Sequence, residues 1–390
     1  MAVQGNARAD GAVTMKVAIR VDASLQMGTG HVMRCLTLAD ALVARGAACA
    51  FICRAHPGNL LDLIRSKGHA AHALPVTSAS VGASSLAITA VGDELVPVHS
   101  HWLGATQADD AEACAPILAE FQPDWLIVDH YALDARWELL LRPYCRRLMV
   151  IDDLADRAHT CDLLLDQTFG RDAKDYHAWV PSDCQVLCGS QYALLRPEFA
   201  ALRAYSLQRR ARPQLRQLLI TMGGVDKDNA TGEVLTALRV CPLPADCQIT
   251  VVMGTTAPWL SEVEQLARDM PWPTRVLVGV NDMARLMAES DLAIGAAGAT
   301  SWERCCLGLP TAMFVLAENQ KYAAWLLDRE KAVRMFQVDA NLPNDLANFI
   351  SAITDSDESL KRLGESASAI ADGRGCQRVA GWLFSVRAKQ

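Results

Sequence analysis

Apolar and polar residues follow one another along this chain in short blocks, in the order of a parallel α/β protein. Apolar runs of five or six residues predict strands, and apolar side chains that recur every three or four positions predict helices. The first predicted elements are strands at 17–21, 48–53 and 70–74 and helices at 32–45 and 57–67. Gly46 is placed to close the first helix. This order is typical of one half of a doubly wound sheet.

The same alternation continues and then begins afresh after a basic, polar segment. Later strands are predicted at 125–128, 148–151, 163–165 and 218–222, and a last helix at 377–388. The fold class is therefore α/β, with two Rossmann-like domains that face each other across a cleft. The predicted organisation is a disordered extension at 1–14, a first domain at 15–200 with a variable insertion at 76–108, a linker at 201–213, and a second domain at 214–390 whose last helix could cross back.

Composition narrows the classes of partner. The net charge of −7 over 390 residues gives no general attraction to nucleic acid or to anionic membranes. No apolar run reaches the roughly 20 residues of a membrane span. The 13 cysteines are odd in number and several fall inside apolar patterns, which indicates thiols in a reducing compartment. A cytoplasmic protein without nucleic-acid or membrane partners is expected.

A glycine loop, Gly28-Thr29-Gly30-His31, connects the first strand to the first helix. It lacks the third glycine of a dinucleotide-binding loop, because Met33 stands there, and no acidic residue ends the second strand. An NAD site is therefore disfavoured. The start of a helix presents free N–H groups, and a histidine at that point is suited to act as a general base. The alternative is that His31 only caps or packs beside its own helix.

The second domain carries two further loops with small residues. Gly223 and Gly224 follow its first strand and could cradle a pyrophosphate or form an ordinary turn. In the stretch from Gly298 to Glu303, Thr300 and Ser301 can donate to phosphate oxygens. Glu303 could accept from two ribose hydroxyls, or it could cap the helix.

Two acidic clusters follow strands of the first domain, Asp129-His130-Tyr131 and Asp152-Asp153. Both are expected at the carboxyl edge of the sheet, where ligands bind in such folds. The paired aspartates could bind a metal or, more commonly, cap helices. His99 and His101 lie in the variable insertion and receive no role.

Taken together, the motifs resemble the UDP-2,4-diacetamido-2,4,6-trideoxy-β-L-altropyranose hydrolases of pseudaminic acid biosynthesis. The resemblance covers nearly the whole chain from Met15. It rests on the Asp22–Arg34 loop, 128–131, 151–153, 192–199, Met222–Asp226, 301–303 and 317–320.

The resemblance implies a GT-B fold like that of the peptidoglycan glycosyltransferase that moves N-acetylglucosamine. The second domain would hold the nucleotide and the first would supply the catalytic group. His31 would be the general base, with Tyr131, Asn319 and Gln320 beside the sugar. The other substrate-binding residues would be Gly28, Thr29 and Gly30 in the first loop, Gly223, Gly224, Gly298, Thr300 and Ser301 near the phosphates, Glu303 at the ribose and Arg196 near the diphosphate.

The implied reaction is inverting hydrolysis of a UDP-sugar by water, without a metal or a cofactor. The product would enter flagellin glycosylation or a surface polysaccharide. Three alternatives stay open. They are a GT-B glycosyltransferase that uses a UDP-N-acetylated sugar, a UDP-sugar-binding module without turnover, and a hydrolysing 2-epimerase.

Overall fold

The computed structural model describes residues 14–76 and 97–387 and contains two parallel sheets. The first sheet has seven strands in the order β3-β2-β1-β4-β5-β6-β7. They are β1 Lys16–Val21, β2 Ala48–Arg54, β3 Ala70–Leu74, β4 Trp125–Asp129, β5 Arg147–Ile151, β6 Leu163–Asp166 and β7 Gln185–Cys188. Most of the predicted extension 1–14 and residues 77–96 of the predicted insertion lie outside the described residues.

Helices cover both faces of this sheet. They are α1 Gly30–Val43, α2 Leu61–Ser66, α3 Gln107–Phe121 and α4 Ala135–Leu141. Val17, Ile19 and Val21 on β1 are buried on the face that α1 covers, and Ala18 faces the other core. Strands buried on both faces read as continuous apolar runs, which is why their positions are visible in the sequence.

The second sheet repeats the same topology with six strands, in the order β10-β9-β8-β11-β12-β13. The strands are β8 Gln217–Thr221, β9 Gln248–Met253, β10 Thr274–Val278, β11 Leu292–Ala296, β12 Thr311–Phe314 and β13 Arg334–Phe336. The helices are α6 Ala230–Leu238, α7 Leu260–Arg268, α8 Met283–Glu289, α9 Thr300–Cys306, α10 Lys321–Arg329, α11 Leu342–Thr354 and α12 Asp357–Ile370. The α/β class with two Rossmann-like domains is confirmed.

The segment predicted as a linker at 201–213 lies mostly in a helix, α5 Pro197–Arg210, which packs on the second domain. Its arginines reach the carbonyl groups that helices leave unpaired at their ends. Arg203 donates to the carbonyl oxygens of Cys306 at the end of α9 and of Ser368 in the last turn of α12. Arg210 donates to the carbonyl of Met287 near the end of α8 at 2.9 Å. The arginines whose basic, polar character suggested a linker therefore make tertiary contacts.

The last helix, α13 Gly375–Arg387, returns to the first domain and packs on α1. Val379 and Leu383 are fully buried within the core that also contains α1 and β1. A Cβ at Gly375 would lie 2.1 Å from the carbonyl oxygen of Ala193, so only glycine fits where the chain crosses. The C-terminal segment thereby ties the two domains together.

Two kinds of local prediction differ from the structure. The helix expected at 57–67 spans only Leu61–Ser66, since a turn at Gly58, with a φ of +81°, precedes it. The short edge strands β7 and β13 were not predicted, because three or four residues give too little periodicity. No helix within the described residues is long and apolar enough to cross a membrane.

Candidate active site

The neighbouring strands β1 and β4 mark the point where the strand order of the first sheet reverses. Ligands bind outside the carboxyl ends of the strands at such a point. The loop after β1 carries Gly28 to His31, and β4 ends at Asp129, two residues before Tyr131. Gly28 has a φ of +75°, and its N–H donates to the carbonyl of Ser24 at 2.8 Å. This turn starts α1 at Gly30 and sets His31 over the end of β4.

His31 lies against the buried carboxylate of Asp129. Its Nδ1 is 2.6 Å from Oδ1 of Asp129. Burial alone would raise the pKa of Asp129, but the charges of Arg34 and His31 outweigh it and hold that pKa well below its usual range. An ionised carboxylate oxygen can only accept, so Nδ1 carries the proton. In the neutral imidazole, Nε2 is then the free acceptor.

Arg34 joins this pair to a second carboxylate. Its Nε and Nη2 donate to the two oxygens of Asp129 at 2.6 and 2.7 Å, and its Nη1 donates to Asp153 at 3.0 Å. The hydroxyl of Tyr131 donates to the other oxygen of Asp153 at 2.5 Å. The rings of His31 and Tyr131 meet edge to face with centroids 4.6 Å apart. One arginine thus fixes the positions of both rings.

The paired aspartates considered as metal ligands, Asp152 and Asp153, and the nearby Asp129 are held by cations and protein donors. Asp129 and Asp153 share Arg34, and Asp152 pairs with Arg157 at 2.8 Å. A carboxylate already neutralised by a guanidinium is a poor partner for a divalent cation. Within the described parts of the chain no group of His, Cys, Asp and Glu is arranged to hold a metal ion.

The second sheet presents its loops in the same way, because β8 and β11 are neighbours at its own reversal point. Gly223 and Gly224 follow β8, and Gly223 has a φ of +98°. A Cβ at Gly254, after β9, would lie only 1.9 Å from the carbonyl oxygen of Gly224. The two glycine segments therefore touch backbone to backbone and leave an open surface toward the cleft.

The hydroxyl groups of Thr300 and Ser301 are oriented by a buried arginine. Ser301 Oγ accepts from the N–H of Gly298 at 3.1 Å and from Arg304 Nη2 at 3.3 Å. Thr300 Oγ1 accepts from Arg304 Nη1 at 3.1 Å. Burial lowers the pKa of Arg304 to about 10. Because the hydroxyl oxygens are occupied as acceptors, their protons are left to donate.

Glu303 faces Arg196 across the second half of the cleft. The Nη2 of Arg196 is 3.5 Å from Oε1 of Glu303. Burial raises the pKa of Glu303, and the charges of Arg196 and Arg304 offset part of that effect. Arg196 also lies 4.0 Å from Glu198, so it meets two carboxylates.

The cleft has two lobes. The His31 lobe is a cavity of about 240 Å³ that both domains line. The Glu303 lobe is a cavity of about 350 Å³ next to it. Gly30 and Trp302 border both lobes, one from each domain. A ligand with two connected parts could therefore occupy the lobes at the same time.

Most residues predicted for the site border one lobe or the other. His31, Gly30, Tyr131, Gly298, Ser301 and Gln320 line the His31 lobe. Thr29, Arg196, Gly223, Gly224, Thr300 and Glu303 line the Glu303 lobe. Gly28 shapes the loop without lining a lobe, and the side chain of Asn319 lies outside the described part of the structure. Gln320 accepts from the backbone N–H of Leu316 at 2.9 Å.

Several lining residues were not predicted: Arg34, Arg171, Trp302 and Tyr322. Arg34 had a readable signal, since it stands three positions after His31 and so shares its helix face. Trp302 stands inside the motif 301–303. Arg171 follows β6 in an irregular segment, where the sequence pattern does not indicate which way a side chain points.

Comparisons with known proteins agree with this geometry. Residues 185–374 match the family described as the glycosyltransferase family 28 C-terminal domain. The crystal structure of Acinetobacter baumannii MurG superposes with a TM-score of 0.65 at 16% identity, over 95% of this chain and 99% of that one. UDP-GlcNAc 2-epimerase from Neisseria meningitidis bound to UDP-GlcNAc gives a TM-score of 0.59 at 11% identity, over 95% and 100%.

The two sheets and the cleft between them form a GT-B fold, and the second half of the chain is similar to the glycosyltransferase family 28 C-terminal domain. Among proteins with this fold, the chain is similar in sequence to the UDP-2,4-diacetamido-2,4,6-trideoxy-β-L-altropyranose hydrolase of Campylobacter jejuni. The two share 26% identity over 313 residues, which span 80% of this chain and 96% of that protein. The resemblance drawn from the motifs is confirmed.

Proposed function

We propose that this protein hydrolyses UDP-2,4-diacetamido-2,4,6-trideoxy-β-L-altropyranose to UDP and 2,4-diacetamido-2,4,6-trideoxy-L-altrose. Water attacks the anomeric carbon on the face opposite UDP, so the configuration inverts. The proposal extends the activity named for the C. jejuni relative to this chain, in pseudaminic acid biosynthesis. We expect the reaction in the cytoplasm, with no metal or cofactor.

The observation that carries the proposal is the 2.6 Å contact between His31 Nδ1 and the Asp129 carboxylate in the wall of the His31 lobe. It leaves Nε2 to take a proton from water. A carboxylate that orients an imidazole and stabilises its charged form is the arrangement used by hydrolytic triads. Positioned proton transfer of this kind supplies about 10²–10⁴-fold in rate.

The Glu303 lobe suits the nucleotide. In this proposal Glu303 accepts from the ribose hydroxyls, and the glycine segment at Gly223 and Gly224, which lines the same lobe, lets backbone approach a diphosphate closely. The hydroxyl protons of Thr300, in this lobe, and of Ser301, in the neighbouring His31 lobe, are free to donate to phosphate oxygens. Charge that develops on the departing UDP is then stabilised by donors already in place. No general acid is required for so good a leaving group.

The test is to incubate the protein with this UDP-sugar, a chelator and no acceptor, and to follow the products by NMR. We expect UDP and free sugar, with the first-formed anomer inverted. His31→Ala should keep its affinity for UDP and lose turnover. A glycosyltransferase would release no UDP without an acceptor, and that result would refute hydrolysis. Full turnover by the His31 variant would refute the assigned base.

A further inference from the structure

Arg171 is a cation in the wall of the His31 lobe that the reaction described above does not use. Its Nε donates to the buried Asp166 at 2.8 Å, and its Nη2 donates to the carbonyl of Asp153 at 3.0 Å. The guanidinium carbon lies 5.2 Å from the ring centre of Tyr322, on the other domain. Among the described residues, no hydrogen bond reaches Nη1, so its two protons are available to a ligand in the lobe.

The segment that carries Arg171 is fixed on both domains. The amide oxygen of Gln167 accepts from the N–H of Leu194 at 3.0 Å. Phe169 packs on the apolar cluster that contains α9 and α10 of the second domain. A Cβ at Gly170, whose φ is +80°, would lie 2.6 Å from Leu326 on α10. Arg171 therefore has a defined position when the cleft forms, which limits the entropy lost on binding a ligand.

Like Arg171, which pairs with Asp166 through Nε, the other arginines that line the cleft lie beside carboxylates. Arg34 gives its donors to Asp129 and Asp153, and Arg196 lies between Glu303 and Glu198. Arg171 borders the His31 lobe and not the Glu303 lobe. Under the proposed function it therefore faces the sugar and lies away from the ribose end of the nucleotide.

Tyr131 offers the complementary group on the other side of Asp153. Its hydroxyl proton is given to Asp153 at 2.5 Å, so its oxygen faces a ligand as an acceptor. Burial raises the pKa of Tyr131, and the neighbouring Asp153 raises it further, so the hydroxyl stays protonated. The side chain of Asp153 positions Tyr131, which offers an acceptor to the ligand. The backbone carbonyl of Asp153 positions Arg171, which offers a donor.

We propose that Arg171 is a sugar-binding residue that donates from Nη1 to the carbonyl oxygen of an acetamido group on the substrate. An acetamido group presents an N–H and a C=O, which need one acceptor and one donor from the protein. The inference rests on the proposed function for the position of the sugar. It adds a specificity determinant, since a hexose without that carbonyl would leave the Nη1 donors unpaired.

Binding of two probes separates this role from others. UDP and the UDP-diacetamido sugar are titrated calorimetrically into the His31→Ala protein, which does not consume the sugar nucleotide. Arg171→Lys keeps the charge beside Asp166 but loses the planar fork. We expect affinity for the sugar nucleotide to fall about tenfold to hundredfold, as for loss of a charged hydrogen bond. Affinity for UDP should stay within about twofold, which also reports an intact fold. Arg146→Ala is the matched control, since Arg146 is exposed and pairs with Asp124 away from the cleft.

Two results would overturn the inference. An equal loss of affinity for both probes would place Arg171 at the diphosphate, and unchanged affinity for both would make it a scaffold residue. Failure of the proposed function is distinguishable from either. In that case the unmodified protein would bind the sugar nucleotide and release no UDP, whatever Arg171→Lys does to binding.

Discussion

The Nδ1 atom of His31 lies 2.6 Å from the Oδ1 atom of Asp129, although 98 positions separate the two residues in the chain. Because Asp129 is ionised and fully buried, it fixes the ring proton on Nδ1 and aims the basic nitrogen elsewhere. The catalytic role proposed for His31 depends on this contact.

Asp129→Asn should therefore slow turnover while leaving UDP binding intact. The amide has nearly the same shape, but it can donate to His31 and favour the wrong tautomer. We expect kcat to fall by roughly 10²–10⁴-fold, as for loss of the orienting carboxylate in a hydrolytic triad. Asp134→Asn is the control, since Asp134 caps α4 outside the cleft. Equal losses of kcat in both variants would point to general damage rather than to the dyad.

Glu303→Gln should weaken the affinity for UDP by about tenfold or more, because a charged acceptor for the ribose hydroxyls is lost. Comparison with 2′-deoxy-UDP sharpens the test. The unmodified protein should prefer UDP, and the variant should discriminate much less between the two nucleotides. Glu330→Gln is a suitable control, since that glutamate is exposed. Full discrimination in the Glu303 variant would remove this residue from the ribose.

Gly254→Ala should disturb the nucleotide lobe through the backbone. The new Cβ would stand 1.9 Å from the carbonyl oxygen of Gly224, so one of the two segments must move. We expect a loss of stability of about 1–3 kcal/mol, together with weaker UDP binding. Gly381 lies within α13, and a Cβ there would be 3.6 Å from its nearest neighbour, Nη1 of Arg45. Gly381→Ala should therefore be neutral or slightly stabilising. Urea unfolding and UDP titration of both variants check the contrast.

Asp152 should contribute to acid sensitivity. Burial opposes its ionisation, but Arg157, His159 and the N–H of Ala155 outweigh burial and lower the pKa of Asp152 to about 2. The carboxylate therefore stabilises the fold above the unfolded pKa of 3.8, and this contribution is lost as the pH falls toward 2. The full contribution is about 2 kcal/mol, of which about 1 kcal/mol is lost between pH 5 and pH 3.

The measurement is the free energy of unfolding in urea at pH 5 and at pH 3. Asp152→Asn should lose about 1 kcal/mol less than the unmodified protein over this interval. Asp62→Asn, at a fully exposed position, should follow the unmodified protein. Parallel pH dependence in all three proteins would contradict the assignment.

Local sequence patterns were enough to predict much of the fold and the part of the site around His31. The strand, glycine loop and helix around His31 are contiguous, so the sequence alone places that residue at a sheet edge. Asp129 was expected at the same edge, but its contact with His31 depends on β1 and β4 being neighbours. Which strands are neighbours depends on the whole sheet and cannot be inferred from either segment alone.

Tertiary contacts explain what the pattern missed. Helix α5 is rich in arginine and looks polar, yet Arg203 and Arg210 donate to carbonyl groups from helices more than 70 positions away. The position of Arg171 depends on contacts with Asp153, Asp166 and Tyr322, which lie on three separate parts of the chain. Residues of this kind carry no periodic signal.

The most direct test of the proposed reaction is to run it in ¹⁸O-labelled water without an acceptor and to locate the label by mass spectrometry. Attack of water at the anomeric carbon, with His31 as base, predicts one ¹⁸O atom in the released sugar and none in UDP. Label in the phosphate of UDP, or no release of UDP at all, would contradict the account.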